Sequence, residues 1–150
     1  MASNENRLNN HKRQCSRRLA LQALYQRQFN ATEPEELYKQ FEDDEFWPKS
    51  DHEYFQQLVT GSIEHIETLD QYISDASDYP VDTIDPIELA ALRIAVYELI
   101  FCLHIPVKVL VSESIQLCKK FGSDDGYKLV NAVLDKLIKS VDRLQISHQH

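Results

Sequence analysis

The 150-residue sequence contains little glycine and little proline, with three and five residues respectively. β-Sandwiches and β-barrels usually need more of both residues for their turns, so the sequence favours an all-α fold. Cysteine is also scarce, and the three cysteines lie far apart along the chain. An odd, scattered set without a CxxC or Cys/His spacing indicates neither a disulfide framework nor a zinc site, and it favours a reducing compartment.

Motifs of catalysis and of membrane insertion are missing as well. The sequence has no GxSxG, no glycine-rich phosphate loop and no HExxH motif, and no apolar run of transmembrane length. Residues 1–14 lack the apolar core of a signal peptide. We therefore expect a non-catalytic cytoplasmic protein with no cofactor, metal, membrane contact or small-molecule substrate.

Single side chains that can be reactive have structural interpretations here. Glu88 and Glu98 can in principle form an acid/base pair, but one ion pair each within a helical core is the better interpretation. Cys15 is predicted to be exposed, with a thiol pKa lowered by the flanking bases. His148 and His150 share the C-terminal tail, which we expect to be frayed rather than metal-binding.

The net charge of −8 conceals an asymmetry along the chain. Residues 1–30 carry six bases and one acid, residues 31–88 carry 17 acids and two bases, and residues 89–150 carry eight bases and six acids. Four of the first six bases lie in the stretch HKRQCSRR at 11–18, namely Lys12, Arg13, Arg17 and Arg18. A polyanion such as RNA would be attracted to this stretch and repelled by the middle of the chain.

The N-terminal half predicts an arm followed by helices. Residues 1–15 are polar and lack helical periodicity, which predicts a flexible basic arm. The first helix is predicted to begin at Ser16 as its N-cap. Further helices are predicted over about 33–41 and over 52–77, and Gly61 in the second indicates either a bend or a close contact with another helix.

The C-terminal half has clearer helix boundaries. An Asp-Pro pair at 85–86 predicts the start of a central helix that is apolar almost all round and whose few charges must be paired or reach the surface. Pro106 precedes the next helix, which ends at Gly122. Ser123 or Asp124 is predicted to cap the last helix.

Motifs in both halves point to one family. The segment RRLALQALYQRQF has a basic start, an Ala-Leu-Tyr helix and a Gln. ALRIAVYEL is followed by IPVKVLVSESIQLCKKFGSDDGYKLVNAVLDKL, with Pro-x-Lys-Val, Phe-Gly and Lys-x-Val-Asn-x-Val-Leu-Asp-Lys in order. The sequence therefore resembles the NusB family of bacterial transcription antitermination factors over most of its length, and weakly over 31–80.

The resemblance implies a fold and a function. The fold would be all-α, with six to seven helices in two small packed bundles at about 16–80 and 85–143, within a single domain at 16–150 that follows the arm at 1–15. The function would be non-catalytic binding of the boxA element in the leader RNA of ribosomal RNA operons. It would involve NusE, a small-subunit ribosomal protein, within an antitermination complex on RNA polymerase.

The resemblance also implies two sets of site residues. The basic stretch would bind boxA next to the corner at Gly122, and the implied RNA-binding residues are Lys12, Arg13, Arg17, Arg18, Lys120, Asp125, Lys128 and Leu129. Tyr25 and Glu88 would meet NusE. Gln14 stands where some relatives continue an arginine run, and Leu129 stands where relatives can place Phe, so we expect less RNA affinity and less base stacking there.

Two other functions stay open. NusB-like helical domains also resemble the N-terminal part of certain ribosomal RNA cytosine methyltransferases, which need a second, α/β domain for S-adenosylmethionine. A protein-only adaptor that binds NusE without RNA is the other alternative, and the basic arm argues against it. Whether a homodimer covers the basic surface is open as well.

Overall fold

The computed structural model describes residues 2–143, without the side chains of residues 2–4 and 6. This part of the chain contains seven α-helices, two short 3₁₀ turns and no strand. The predicted all-α fold with six to seven helices is thus confirmed. The described residues form two compact units, unit 1 up to Glu64 and unit 2 from His65 onward.

Unit 1 contains three α-helices and one 3₁₀ turn. Helix α1 spans Ala2–Arg27, α2 spans Pro34–Phe41, the 3₁₀ turn spans Trp47–Lys49 and α3 spans His52–Glu64. Helices α1 and α3 pack on each other, and α2 and the turn pack beside them.

An aromatic cluster around Phe55 fixes the 3₁₀ turn against α3. The Phe55 side chain is fully buried. The ring centroids of Tyr38, Phe41 and Trp47 lie 5.9, 5.8 and 5.4 Å from its centroid, in edge-on or tilted orientations. Aromatic rings prefer such arrangements to a face-to-face stack, and each pair adds to the free energy of burial.

Helix α1 begins earlier than the sequence predicts. The chain is helical from Ala2, where an arm without regular structure is expected, so the prediction of Ser16 as the N-cap is wrong. The first proline of the chain is Pro34, so neither glycine nor proline interrupts the backbone hydrogen bonds before it. The Ser16 hydroxyl instead lies inside the helix, 3.0 Å from the carbonyl of Lys12 one turn earlier, as serine hydroxyls inside helices often do.

The single helix predicted over 52–77 is two helices. Helix α3 ends at Glu64 and α4 spans Ile66–Ala76, with His65 between them at φ −109° and ψ 20°. Gly61 lies buried within α3 and is not the site of a bend. The break carries neither glycine nor proline, so the sequence gives no local signal for it.

Unit 2 is built around its central helix. Besides α4 it contains a 3₁₀ turn at Val81–Thr83, α5 at Pro86–Phe101, α6 at Val107–Phe121 and α7 at Gly126–Ser140. Twelve of the sixteen residues of α5 are buried, and α4, α6 and α7 all pack against it. This agrees with the predicted central helix that is apolar almost all round.

Polar side chains satisfy both ends of α5. At the N-terminus the Asp85 carboxylate accepts the N–H of Ile87 at 3.0 Å, as the Asp-Pro pair predicts. At the C-terminus the Arg143 guanidinium donates to five carbonyls at 2.7–3.5 Å, those of Glu98, Leu99, Cys102, Leu103 and Ile105. The last carbonyls of a helix have no partner within the helix, and a guanidinium offers five N–H groups to them.

Arg93 shows how a charge on α5 is accommodated. Its Nε and Nη2 atoms donate to the two carboxylate oxygens of Asp70 on α4, both at 2.9 Å. A bidentate pair of this kind is the strongest arrangement between these two groups. The predicted pairing of a charge on the central helix is thus confirmed for Arg93.

Candidate nucleic-acid interface

Helix α1 places two of the predicted arginines over one aromatic ring. Arg13 and Arg17 lie one helical turn apart, and their guanidinium carbons are 5.6 and 5.7 Å from the centroid of the Tyr54 ring. Both distances lie within the range of cation–π attraction. Because Tyr54 is a buried residue of α3, it holds the two positive charges at fixed positions.

The four predicted bases of α1 differ in exposure. Lys12 is exposed, Arg13 and Arg18 are half-buried, and Arg17 is only 2% exposed. The Arg18 guanidinium carbon lies 3.9 Å from the centroid of the Phe46 ring. A polyanion can therefore reach Lys12, Arg13 and Arg18, whereas Arg17 lies in the interior and supports Tyr54. We call the three accessible bases the basic segment.

Cys15 lies within the same turns of α1, and the prediction for it is wrong. Its side chain is 5% exposed, and burial raises the pKa of its thiol by more than the charges of Lys49 and Arg18 lower it. Burial likewise raises the pKa of the Cys118 thiol to about 12. These thiols stay protonated at neutral pH and belong to the core.

The loop from Phe46 to His52, here the 46–52 loop, packs on α1. The backbone N–H of Asp51 donates to the Lys12 carbonyl at 3.3 Å and to Ser16 Oγ at 2.9 Å. The Ser16 hydroxyl donates to the Asp51 carbonyl at 2.7 Å. These bonds join segments that are distant in sequence, and the two with Ser16, which span 35 positions, explain why Ser16 is buried within α1.

Lys49 belongs to this loop and was not predicted as a site residue. Its Nζ atom lies 5.3 Å from the centroid of the Phe46 ring, the ring that also carries Arg18. Lys49 is exposed. The acidic composition of residues 31–88 hides it in the sequence, because only the folded chain brings it to α1.

The second predicted group of RNA-binding residues lies in unit 2, where α6 meets α7. Lys120 is exposed in the last turn of α6, and Leu129 is half-buried in the first turns of α7. Between them Lys128 Nζ lies 3.2 Å from Asp125 Oδ1, and the two side chains are 63% and 80% exposed. An ion pair so open to water contributes little to stability, so the Lys128 ammonium stays available to another anion.

Glu88 holds this corner from inside unit 2. It is fully buried, and its Oε1 atom accepts both the N–H of Ser123 at 3.0 Å and the Ser123 hydroxyl at 3.2 Å. A Cβ atom on Gly122 or Gly126 would overlap the Glu88 carboxylate, so the absence of a side chain at both positions makes room for it.

This arrangement corrects two predictions. Ser123 does not cap α7, and neither does Asp124, because the helix begins at Gly126 directly after Asp125. The Ser123 hydroxyl is instead used by Glu88, whose hydrogen-bonded partner is thus Ser123 rather than the expected ion-pair partner. Sequence separation hides this contact, since 35 residues lie between the two.

The environment of Glu88 shifts its protonation. Burial raises the pKa of its carboxyl above the usual value, and the nearby carboxyl of Asp85 adds to the rise, while the N–H of Ser123 opposes it. A fully buried side chain offers no surface to a partner protein. In this structure Glu88 therefore presents no surface to NusE, and its contact with NusE stays a prediction.

Tyr25, the other residue expected to meet NusE, lies at the surface of unit 1. It is 37% exposed and Phe29 is 64% exposed. Their rings meet edge to face, with centroids 5.2 Å apart. Aromatic side chains are enriched in protein interfaces, and the contact of Tyr25 with NusE stays a prediction.

Metal sites and membrane spans were sought over residues 2–143. In that range no three histidine, cysteine or carboxylate side chains are grouped so that they could share a metal ion. No helix there is both long enough and apolar enough to cross a membrane. His148 and His150, predicted to form a frayed tail, lie outside the described residues.

Comparison with known proteins gives consistent relatives. The NusB family model matches residues 14–139. A transcription antitermination protein NusB from Coxiella burnetii (strain RSA 493 / Nine Mile phase I) is 39% identical over 132 residues, covering 88% of this chain and 96% of the relative. The protein of the same description from Legionella pneumophila (strain Paris) is 41% identical over 132 residues, covering 88% and 90%.

Solved structures share the fold. A crystal structure of the antitermination factors NusB and NusE in complex with dsRNA contains a chain that matches with a TM-score of 0.76 and 27% identity, over 85% of this chain and 96% of that one. T. maritima NusB matches in fold with a TM-score of 0.78 at 24% identity, over 90% and 96%. The family match extends over most of the sequence and includes the helices of both units, and the chain belongs to the NusB family.

Proposed function

We propose that this chain is a non-catalytic, RNA-binding transcription antitermination factor. In this proposal it binds the boxA element of ribosomal RNA operon leaders together with NusE and joins an antitermination complex on RNA polymerase in the bacterial cytoplasm. The relatives from Coxiella and Legionella are described as transcription antitermination proteins. A related NusB chain has been crystallised with NusE and dsRNA.

The basic segment of α1 is the observation that carries the proposal. Lys12, Arg13 and Arg18 are accessible, and buried or half-buried aromatic rings hold the two arginines in place. Guanidinium groups bind phosphate through two parallel N–H groups, and fixing them beforehand reduces the entropy lost on binding. The acidic stretch that follows, residues 31–88, repels a polyanion and so confines it to basic parts of the surface.

The corner between α6 and α7 in unit 2 is a separate proposed RNA contact. Lys120 and Lys128 supply exposed ammonium groups there. Leu129 supplies an apolar surface but no ring on which a base could stack. We expect this corner to contribute mainly through phosphate contacts, which are independent of base sequence.

The methyltransferase alternative is less well supported. The chain aligns with 96% of the Coxiella relative, so the likeness extends over nearly the whole of an antitermination protein. The protein-only adaptor is distinguished from the proposed function by RNA binding itself.

Fluorescence anisotropy tests the proposal. A labelled boxA RNA and a scrambled RNA are titrated with the protein, with and without NusE, at two salt concentrations. We expect tighter binding to boxA than to the scrambled RNA, an increase on addition of NusE, and weaker binding at higher salt because phosphate contacts release counterions. Equal, weak binding to both RNAs, unchanged by NusE, would contradict the proposal and favour another function for the basic segment.

A further inference from the structure

The acidic stretch at 31–88 contains only two bases, Lys39 and Lys49. They are used differently in the fold. Lys39 lies exposed in the last turn of α2, whereas Lys49 lies in the 46–52 loop beside the basic segment of α1. One of the two cations of an otherwise acidic stretch is thus added to the most basic part of the chain.

The 46–52 loop is held firmly in this position. The Asp51 N–H donates to the Lys12 carbonyl and to Ser16 Oγ of α1, and the Asp51 carbonyl accepts the Ser16 hydroxyl. Within the loop the rings of Trp47 and His52 are stacked with centroids 4.0 Å apart, and His52 Nε2 lies 2.9 Å from the Trp47 carbonyl. The position of Lys49 is therefore determined by contacts on both sides of it in sequence.

The charges around Lys49 favour an anionic ligand. Lys49 and Arg18 share the Phe46 ring, at 5.3 and 3.9 Å from its centroid, and both charges act on the thiol of Cys15. The two charges are therefore at most about 9 Å apart, which is less than the Debye length of about 10 Å at 0.1 M ionic strength, so they repel each other and a bound phosphate would relieve the repulsion.

Two of the carboxylates near Lys49 in sequence, those of Asp44 and Asp51, accept backbone N–H groups. Asp44 Oδ1 accepts the N–H of Phe46 at 2.8 Å, and Asp51 Oδ1 accepts the N–H of Tyr54 at 3.0 Å. Their charge still lowers the local positive potential, so we expect the contribution of Lys49 to be smaller than that of the basic segment itself.

We propose that Lys49, presented by the 46–52 loop, binds an RNA phosphate and extends the basic segment of α1 into a surface formed by two elements of unit 1. The ligand class is the nucleic-acid backbone, and the inference rests on the proposed function. The contact would strengthen RNA binding without adding base specificity, because an ammonium group binds phosphate as a point charge.

The test compares Lys49→Ala with Lys39→Ala, which removes the same charge from the same acidic stretch. Anisotropy titrations of boxA and scrambled RNA are made over a series of salt concentrations. We expect Lys49→Ala to weaken binding to both RNAs by about three- to tenfold at low salt and to reduce the slope of log K against log salt by about 0.7 to 0.9. Lys39→Ala should leave both quantities unchanged.

Two further variants make the test decisive. Lys49→Arg keeps the charge and should bind as the unchanged protein does, and weak binding by this variant would mean that the loop conformation is affected rather than a phosphate contact. Lys12→Ala with Arg13→Ala tests the proposed function separately. If that double variant loses RNA binding while Lys49→Ala behaves like Lys39→Ala, the inference about Lys49 is wrong and the proposed function stands.

Discussion

Charged side chains are bonded within the protein in unit 2 and are more exposed to solvent in unit 1. In unit 2, Glu88 is fully buried against Ser123, Arg93 pairs with Asp70, and Arg143 donates to carbonyls at the end of α5. In unit 1 Lys12 is exposed, and the half-buried Arg13 and Arg18 lie over the buried Tyr54 ring and the half-buried Phe46 ring. Burial of the side chain and hydrogen bonds to protein acceptors therefore distinguish the structural charges from the exposed ones. The density of bases in the sequence does not.

The comparison predicts separate consequences for substitutions in the two units. Changes to the interior charges of unit 2 should lower the free energy of unfolding. Changes to the accessible cations of unit 1 should weaken RNA binding and leave folding nearly unchanged. Each of the following experiments tests whether folding and RNA binding depend on separate sets of charges.

Gly126→Ala should have the largest effect. The added Cβ overlaps the Glu88 carboxylate, which would lose its bonds to Ser123 and remain buried, so we expect a loss of roughly 3 to 5 kcal/mol in the free energy of unfolding. Urea unfolding measures it. Combining Gly126→Ala with Glu88→Ala removes the overlap, so the two losses should be strongly non-additive. Additive losses would show that the carboxylate and the glycine do not depend on each other.

Arg143→Ala should have the next largest effect. Five carbonyls at and after the end of α5 would lose a common donor, and we expect a loss of roughly 2 to 4 kcal/mol in the free energy of unfolding. The carbonyls of Glu98 and Cys102 would keep the N–H groups of Cys102 and Ile105, so the loss falls mainly on the other three. Arg143→Lys should recover only part of it, since an ammonium has three donors on one atom. Thermal or urea unfolding gives both values, and full recovery by lysine would argue that charge alone matters.

Arg17→Ala and Arg13→Ala test the comparison within unit 1. Arg17 is 2% exposed, so its loss should lower the free energy of unfolding by roughly 1 to 2 kcal/mol through lost packing and cation–π contact. Its direct effect on RNA binding should be small. Arg13→Ala should weaken RNA binding and change the free energy of unfolding little. Urea unfolding and RNA titrations over a salt series are made on both variants. If Arg17→Ala reduced the slope of log K against log salt as much as Arg13→Ala does, the distinction between the buried and the accessible arginine would be wrong.

Glu88→Gln should have the smallest effect, and it depends on pH. Burial raises the pKa of Glu88 in the folded protein, so the folded state binds the proton more tightly than the unfolded state. The group therefore favours folding most at low pH, and this contribution is lost as pH rises from the usual carboxyl range through the raised pKa.

The glutamine variant stays uncharged and keeps an oxygen for the Ser123 N–H. Its stability relative to the unchanged protein should therefore improve as pH rises through that window. Urea unfolding at several pH values measures the difference, and a difference independent of pH would mean that Glu88 does not titrate in the folded state as its surroundings require.

The sequence predicts the helix boundaries well where proline, glycine or an N-cap residue marks them. The Asp-Pro pair at 85–86 and Pro106 set the starts of α5 and α6, and Gly122 directly follows the end of α6. It predicts poorly where the boundaries depend on tertiary contacts. The early start of α1 and the break at His65 carry no glycine or proline, so local propensity gives no indication of either.

The candidate site was predicted in part, for the same physical reason. The basic stretch is contiguous in sequence, so composition alone reveals it. Whether a base is accessible depends on Tyr54 and Phe46, which lie far along the chain, and so Arg17 was included although it is buried. Lys49 and the Glu88–Ser123 contact were missed because only the folded chain brings their partners together.

The proposed function requires that accessible cations of α1 bind RNA while interior charges maintain the fold. The most direct measurement compares Lys12→Ala with Arg13→Ala, as a double variant, against Lys136→Ala with Lys139→Ala, which removes the same charge from α7. Both are titrated with boxA RNA over a salt series and unfolded in urea. We expect the α1 variant to lose about 1.5 to 2 units of salt slope at nearly unchanged stability, and the α7 variant to keep its slope. Equal slopes in the two variants would contradict the claim.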